Sequence, residues 1–552
     1  MSSQLLFIGP YLLCGTNSRT GNAIADLLLK DLPLGCYSEA DHQENVLGRW
    51  HDLEFYGNDT WKLGSRLTLT LGLRWSRYGQ PYSANDRITN FIPRLYDGSD
   101  PASALVQAGA QGFNRSLVQQ YNKGFQPRLG IAWDIFGDGK TALRLGAGRY
   151  IGRPIIARMI ALGGNPPWTQ TVDAGWGGNS FSLNDSPTFR SLDTINPGLK
   201  NALASTTSFD AVNEDFRPAE SWQWNLTISR EIMKNTVVEA SYIGNHALHI
   251  ERSLDWNDVV PRARLAVAQA VRANDPNANN LINASRRLPG VATVFMHEST
   301  GDSSYHALQI WADRRFSERL AFQAAYTWSH AITNVPLTAF SAGATDPLNY
   351  NLDRGDADLD RRQMFVANAV YVLPSFKRWS AIASHILGDW QLNGIASFLG
   401  GTPLDVASGA NTAGLAASFR NNAQRPNLVS GVPVYLHNPS DPLQYLNPAA
   451  FSLPEVGRFG SLGRGSIRGP GSINFDLSIV KNLRIHDHYS LQFRAEMFNA
   501  FNRPNFKSVD AGLSLDNVAG DENFGKPLNP NFGRITATRG PREIQFGLKF
   551  NF

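Results

Sequence analysis

Only two of the 552 residues are cysteine, Cys14 and Cys36, so the chain can build neither a disulfide framework nor a multi-cysteine zinc site. A Cys14–Cys36 bridge is the one pairing that the count permits. Charge of one sign is scarce as well: 51 Lys and Arg against 47 Asp and Glu leave a net +4, which makes no electrostatic case for nucleic acid. No stretch approaches the roughly 18 uninterrupted apolar residues of a transmembrane helix. The opening MSSQLLFIGPYLLCG is apolar but lacks the basic n-region of a secretory signal, and Leu13 is too large for the position before a lipoprotein cysteine. No G-x-S-x-G, Walker or H-E-x-x-H arrangement occurs, and no catalytic constellation stands out, so the reading is not an enzyme and no cofactor is expected. Helical periodicity is rare; its best instance is RARLAVAQAVRA at 262–273.

What the chain has in quantity is strict alternation. RLTLTLGLRWS places Leu67, Leu69, Leu71, Leu73 and Trp75 on one face and Thr68, Thr70, Gly72 and Arg74 on the other. Leu129, Ile131, Trp133 and Ile135 repeat the pattern opposite Arg128, Gly130, Ala132 and Asp134. Thirteen such segments begin near residues 51, 66, 126, 141, 219, 236, 304, 319, 361, 388, 471, 488 and 542. Most run about ten to fourteen residues, against a mode of about five to six in globular proteins.

The connections between them alternate in length. Short turns fall at Gly64-Ser65, at Gly137-Asp138-Gly139-Lys140, and around 233–235, 316–317 and 483–488. Long segments at 80–125, 152–218, 246–303, 332–360, 400–470 and 502–541 intervene, with one intermediate connection at 374–388. Short turns at one rim and long loops at the other are the organisation of a transmembrane β-barrel. A soluble sandwich also alternates apolar and polar residues, with the apolar side turned inward. Three features favour lipid. The strands match the roughly 9–11 residues that a tilted strand needs to cross a bilayer. Trp61, Trp75, Trp133, Trp222, Trp328 and Trp390 cluster near strand ends, as interfacial girdles require. Arg74, Arg128, Arg144, Glu239, Arg494 and Glu496 sit on the polar faces, where a wet lumen accepts them. Leu71 and the tryptophans are accordingly expected to face lipid or its interface. Thirteen is odd while bacterial single-chain barrels are even, so either closure is incomplete or a strand comes from residues 1–50. Otherwise residues 1–50 read as an irregular segment and 51–552 as the barrel domain.

Several motifs admit two readings. The acidic run Asp353, Asp356, Asp358 and Asp360 fails the EF-hand pattern, because the sixth position counted from Asp356 is Arg361, not glycine. With Arg354, Arg361 and Arg362 beside it, the run reads as an ion-paired lead into the next strand. His246 with His249, and His486 with His488, lack ligand company and read as solvated polar residues, so no metal site is assigned. Asn502, Arg503, Pro504 and Asn505 suit turn chemistry better than a ligand contact.

YGNDTWKLGSRLTLTLGLRW (56–75), GKTALRLGAGRY (139–150), TVVEASYIGNHALHIERSLD (236–255) and DADLDRRQMFVANAVYVLP (356–374) resemble the barrel of Oar-like TonB-dependent receptors. So do TGNAIADLLL (20–29), GDWQLNGIASFLGGTPLDV (388–406), RGPGSINFDLSIVKNLRI (468–485) and LQFRAEMFNAFNRPNF (491–506). The resemblance implies an outer-membrane barrel of 22 strands with a plug in its lumen. It also implies a segment that contacts TonB. This sequence shows neither plug nor contact segment, so the similarity covers the C-terminal part of the barrel, and TonB is a partner only if another segment supplies the contact. Substrate uptake or surface binding through the outer loops is the implied function; a non-transporting binding module and a soluble β-rich protein are the alternatives. Such barrels end on an aromatic read by the barrel-assembly machinery, the role that Phe552 would take, with Ile544, Phe546, Leu548 and Phe550 on the same face. Outer-membrane lipid and that machinery are the expected partners, and pairing of the last strand with the first is the expected closure.

Overall fold

The computed structural model describes residues 46–168, 208–317, 319–335, 344–375, 386–388, 390–416, 424–438, 440–486 and 489–552, with the short strands Ser2–Leu5, Tyr37–Ala40 and Thr171–Ala174. Cys14, Cys36 and the segment 20–29 lie outside the described residues. Thirteen strands of one fifteen-stranded sheet form an uninterrupted antiparallel meander. They are β1 (Leu53–Leu63), β2 (Leu67–Arg77), β3 (Phe125–Asp134), β4 (Thr141–Ile151), β5 (Glu220–Met233), β6 (Thr236–Asp255) and β7 (Val294–Ser317). Then follow β8 (Leu320–Thr333), β9 (Gln363–Val372), β10 (Trp390–Leu399), β11 (Ser472–His486), β12 (Tyr489–Phe498) and β13 (Glu543–Asn551). Every strand that alternation marks is present.

The register keeps like with like. Leu69, Ile131, Leu145, Leu226, Tyr242, Leu308 and Trp328 are successive partners across seven strands. One residue away, Thr68, Ala132, Arg144, Thr227, Ser241, Gln309 and Thr327 form the parallel row on the other face. Because the side-chain period is two, a single-residue slip in any hairpin would mix the rows. Turn chemistry holds the hairpins in place. Gly137 and Gly139 adopt φ of 73° and 70°, and the Asp134 carboxylate accepts both their amides at 2.9 and 3.0 Å.

Three expectations need correction. β6 and β7 run to 20 and 24 residues, so the third long connection is 256–293, not 246–303. His246 and His249 therefore belong to β6, where His246 meets Asp302 at 2.8 Å. The alternation that ends the lipid-length stretch simply continues, with register shifts at 248–252. The sheet does not close, which is one of the two outcomes that the odd strand count allows, so the pairing of last strand with first is absent: β13 pairs with β12 and β1 with β2, and among the described residues neither edge has a second partner. No strand from the described part of residues 1–50 joins the meander; Ser2–Leu5, Tyr37–Ala40 and Thr171–Ala174 form a separate small sheet.

All six short or intermediate connections lie at one end of the meander, and all six long ones at the other. The buried apolar clusters belong to the long-loop end. They centre on Ile88, Leu162 and Phe216; on Phe91, Phe209 and Val294; on Val259 and Val267; and on Leu446, Leu513 and Phe532. Short helices occur there, α1 (Ala157–Leu162), α2 (Arg264–Arg272) and α3 (Ala278–Ala284). Of these α2 is the one that periodicity marks at 262–273.

Candidate ligand-binding surface

The loops build a layer of their own, held by buried charge. Asn257 follows β6 and its amide nitrogen donates to the carbonyls of Leu288, Val291 and Ala292, which closes the loop 256–293 on itself. Arg286 donates to Asp255 at 3.2 Å, and Arg264 on α2 makes a two-pronged pair with Asp346 at 2.9 and 2.7 Å. The second pair ties that loop to the one after β8. Asp258 accepts from the amide of Ala416 at 2.7 Å and so ties it to the loop after β10. Burial pushes the Asp258 carboxyl up to about 6, against the pull of that amide. Burial likewise raises Asp405, opposed first by the Arg425 charge.

The acidic run is the densest junction. Asp356 accepts from His330 at 2.8 Å and from Arg362, and Arg362 also reaches Asp360 at 3.0 Å. From the far loop Arg468 grips Asp356 and Asp360, Arg464 meets Asp358 at 2.8 Å, and Arg425 lies 3.8 Å from Asp353. His330, Asp356 and Asp360 are close enough for a metal, but Arg362 and Arg468 already occupy the carboxylates. The run leads into β9 through ion pairs, as its arginine neighbours indicate. Arg425, Arg464 and Arg468 as partners had no sequence signal, because they lie between 65 and 115 positions downstream.

The polar face of the sheet carries its own charges. Arg74 pairs with Glu54, which also accepts from Ser76 at 2.9 Å. Arg128 stacks 4.9 Å from the Tyr150 ring, Arg144 lies 3.7 Å from Glu239, and Arg494 lies 3.5 Å from Glu496. The first four belong to β1–β6 and the last two to β12, so they form two groups on one face, not a single cluster. On the other face sit Leu71, Trp75, Trp133, Trp222, Trp328 and Trp390; Trp75 and Trp133 have apolar partners on both sides, Leu71 lies between Leu129 and Asp59, and Trp328 between Leu308 and Gln363, while Trp222 and Trp390 meet cationic residues. Those two oppose Arg149 and Lys481. Trp133 and Trp390 lie toward the short-turn rim; Trp75, Trp222 and Trp328 lie toward the loop rim. Ile544, Phe546, Leu548 and Phe550 line the same face of β13, 50–73% exposed, and Phe552 follows at 92%.

The 502–505 motif does turn chemistry. Asn499 caps the amide of Arg503 at 3.0 Å, Asn502 accepts from Arg542, and buried Asn505 bonds both backbone groups of Ile473 at 2.9 Å.

Residues 7–545 match a family model described as "Outer membrane beta barrel domain". The TonB-dependent transporter Oar of Myxococcus xanthus is 23% identical over 538 residues, which are 90% of this chain and 42% of that protein. Among solved structures, the outer membrane transporter YddB from Escherichia coli aligns with 91% of this chain and 45% of its own, at 9% identity and a TM-score of 0.43. The ferripyoverdine receptor of the outer membrane of Pseudomonas aeruginosa aligns with 91% and 39%, at 9% identity and a TM-score of 0.40. The chain thus spans less than half the length of each of these proteins.

Proposed function

The chain belongs to the outer membrane beta barrel domain family and has its place in the cell outer membrane, and from that premise we propose that it is the barrel part of a TonB-dependent receptor. It captures substrate through the loop layer, and the polar face carrying Arg74, Arg128, Arg144, Glu239, Arg494 and Glu496 lines a wet lumen. Leu71 and the tryptophans face lipid or its interface. The observation that carries this reading is the segregation of the molecule. Six long connections gather at one rim, and three of them are cross-tied there by Arg264–Asp346, Arg464–Asp358 and Arg468–Asp360, so a surface for recognition is held over a two-faced sheet.

The open edges support the view that further strands complete the barrel. In an antiparallel meander of thirteen strands β1 and β13 run the same way. Antiparallel closure therefore needs an odd number of added strands, and a second copy in the same orientation offers only parallel edges. Asp59 adds to this: it sits opposite Leu71 on the apolar face of β1, a poor place for a carboxylate unless protein covers it.

The test is uptake of ferric siderophores, oligosaccharides and peptides by cells that carry the chain, with and without TonB. Accumulation that depends on TonB supports the receptor. Binding at the cell surface without accumulation would identify a binding module instead. A monodisperse protein that stays in solution without detergent overturns both.

A further inference from the structure

β1 and β13 both end the meander, yet they present different edges. All eleven residues of β1 and all nine of β13 are exposed, while β2, with a neighbour on each side, is mostly half-buried. The outward face of β13 is apolar throughout, with Ile544, Phe546, Leu548 and Phe550. On β1 that face runs Leu53, Phe55, Gly57, Asp59, Trp61 and Leu63, an apolar row broken by one carboxylate.

That carboxylate has no cation. Asp59 faces Leu71 across the ladder and accepts from the Trp61 indole and from the amide of Thr60 at 2.8 Å. Lys62 projects from the opposite face. Among the described residues no Lys, Arg or His lies within ion-pair distance of Asp59, whereas Glu220 on the same face takes Arg149, and Asp302 takes His246 and Arg354 at 2.8 Å each. Gly57 leaves open space where a side chain would stand, and beside it a groove of about 790 Å³ is lined by Leu71, Leu73, Leu129, Ala147, Trp222 and Trp224.

We propose that β1 receives one antiparallel strand from outside this chain, and that this strand carries a lysine or arginine on its outward face beside Asp59. The inference rests on the reading that the outward face meets lipid. An unpaired row of backbone amides and carbonyls needs a strand in hydrocarbon, since neither a helix nor an acyl chain satisfies it. The cation belongs opposite Asp59 or on the diagonal opposite Gly57, where its aliphatic stem lies over the groove and its charge meets the carboxylate. A second copy in the same orientation does not fit: its β13 would arrive parallel, and the outward face of β13 holds no cation. Asp59 thus marks which edge the incoming strand takes, a distinction that two apolar edges would leave open.

The experiment uses the full chain refolded in phosphatidylcholine vesicles and synthetic peptides of alternating leucine and threonine, matched in length to β1. The central leucine of the peptide is replaced by lysine, glutamate or norleucine, and binding is read from the anisotropy of a fluorophore on the peptide. The lysine peptide should bind roughly tenfold more tightly than the norleucine peptide, and the glutamate peptide more weakly than either. In D59K the order should invert, and in D59N the preference should vanish. A lysine preference that survives in either variant overturns the proposal, and so does failure of all three peptides to bind. Should D59K fail to refold, D59N decides by itself. Loss of TonB-dependent accumulation in cells would overturn the receptor reading and leave the peptide order standing.

Discussion

The strands and the loops of this protein obey opposite rules. In the strands the large apolar residues are exposed: Leu226 at 45%, Trp328 at 58%, Phe546 at 73%. In the loops a set of them is hidden in closed cores: Phe91, Leu446 and Leu513 are each 0% exposed. Charge divides the same way, since Arg144 on the sheet is 57% exposed while Arg464 among the loops is 3% exposed. A chain in one solvent has no reason to do both. The loop layer is organised like a water-soluble domain, with stacked Phe91 and Phe209 inside and capped turns outside. The exposed apolar face of the sheet fits the proposal that it meets hydrocarbon, where an outward leucine is already in its preferred medium.

The contrast can be broken by substitutions that ought to differ only if two solvents are present. Phe91→Ala should cost about 3–5 kcal/mol within the loop layer, the price of a cavity in a closed core. Protection of loop amides from hydrogen exchange should fall while the sheet remains protected. Loss of protection along β1–β4 as well would mean that the two regions do not fold under separate rules.

On the sheet, Leu71→Arg should cost about 2–4 kcal/mol more than Thr70→Arg in a lipid-refolded chain if Leu71 lies near the bilayer midplane. Denaturant unfolding in large vesicles reads the difference, and equal costs for the two would refute the assignment of faces.

A pH experiment sharpens the loop side. The Asp258 carboxyl has its folded pKa raised from 3.8 to about 6, so the folded loop holds the proton more tightly than the unfolded chain. Stability from this group is therefore full below about pH 4 and is lost as pH rises through about 6, on the order of 2–3 kcal/mol. Asp258→Asn should flatten that dependence for loop amides near Val259 and leave strand amides unchanged; a profile identical to the parent would rule out Asp258 as its source.

The smallest effect concerns the end of the chain. Phe552→Ala removes a ring that is 92% exposed, so folded stability should change by less than about 1 kcal/mol, while assembly into vesicles by purified barrel-assembly machinery slows. A stability loss with unchanged assembly would assign Phe552 to packing instead.

Legibility in the sequence followed the same division. All thirteen strands were readable because a two-residue period is local: Leu67 to Trp75 declare their face without reference to any neighbour. The hairpin at 137–140 was readable for the same reason, through its two glycines and Asp138. The loops were not. Asp353 to Asp360 could be read as ion-paired, but nothing links them to Arg464 and Arg468 across a hundred positions without the fold. The parallel addition of Phe209–Val212 to β7 has no periodic signature at four residues. The length of β6 and β7 was missed because the pattern stays strand-like beyond the span that a bilayer needs.

Alternation alone thus located the strands and decided which residues share a face, since both follow from steps of one or two residues along the chain; the fold class needed strand length and the alternating connection lengths as well. Only the tertiary structure decided that, among the described residues, the outer edges of β1 and β13 have no partner, and that the loops bury a core of their own. It also decided which arginine meets which aspartate. Those outcomes depend on contacts between distant segments, whose free energy is set by geometry that no local pattern contains.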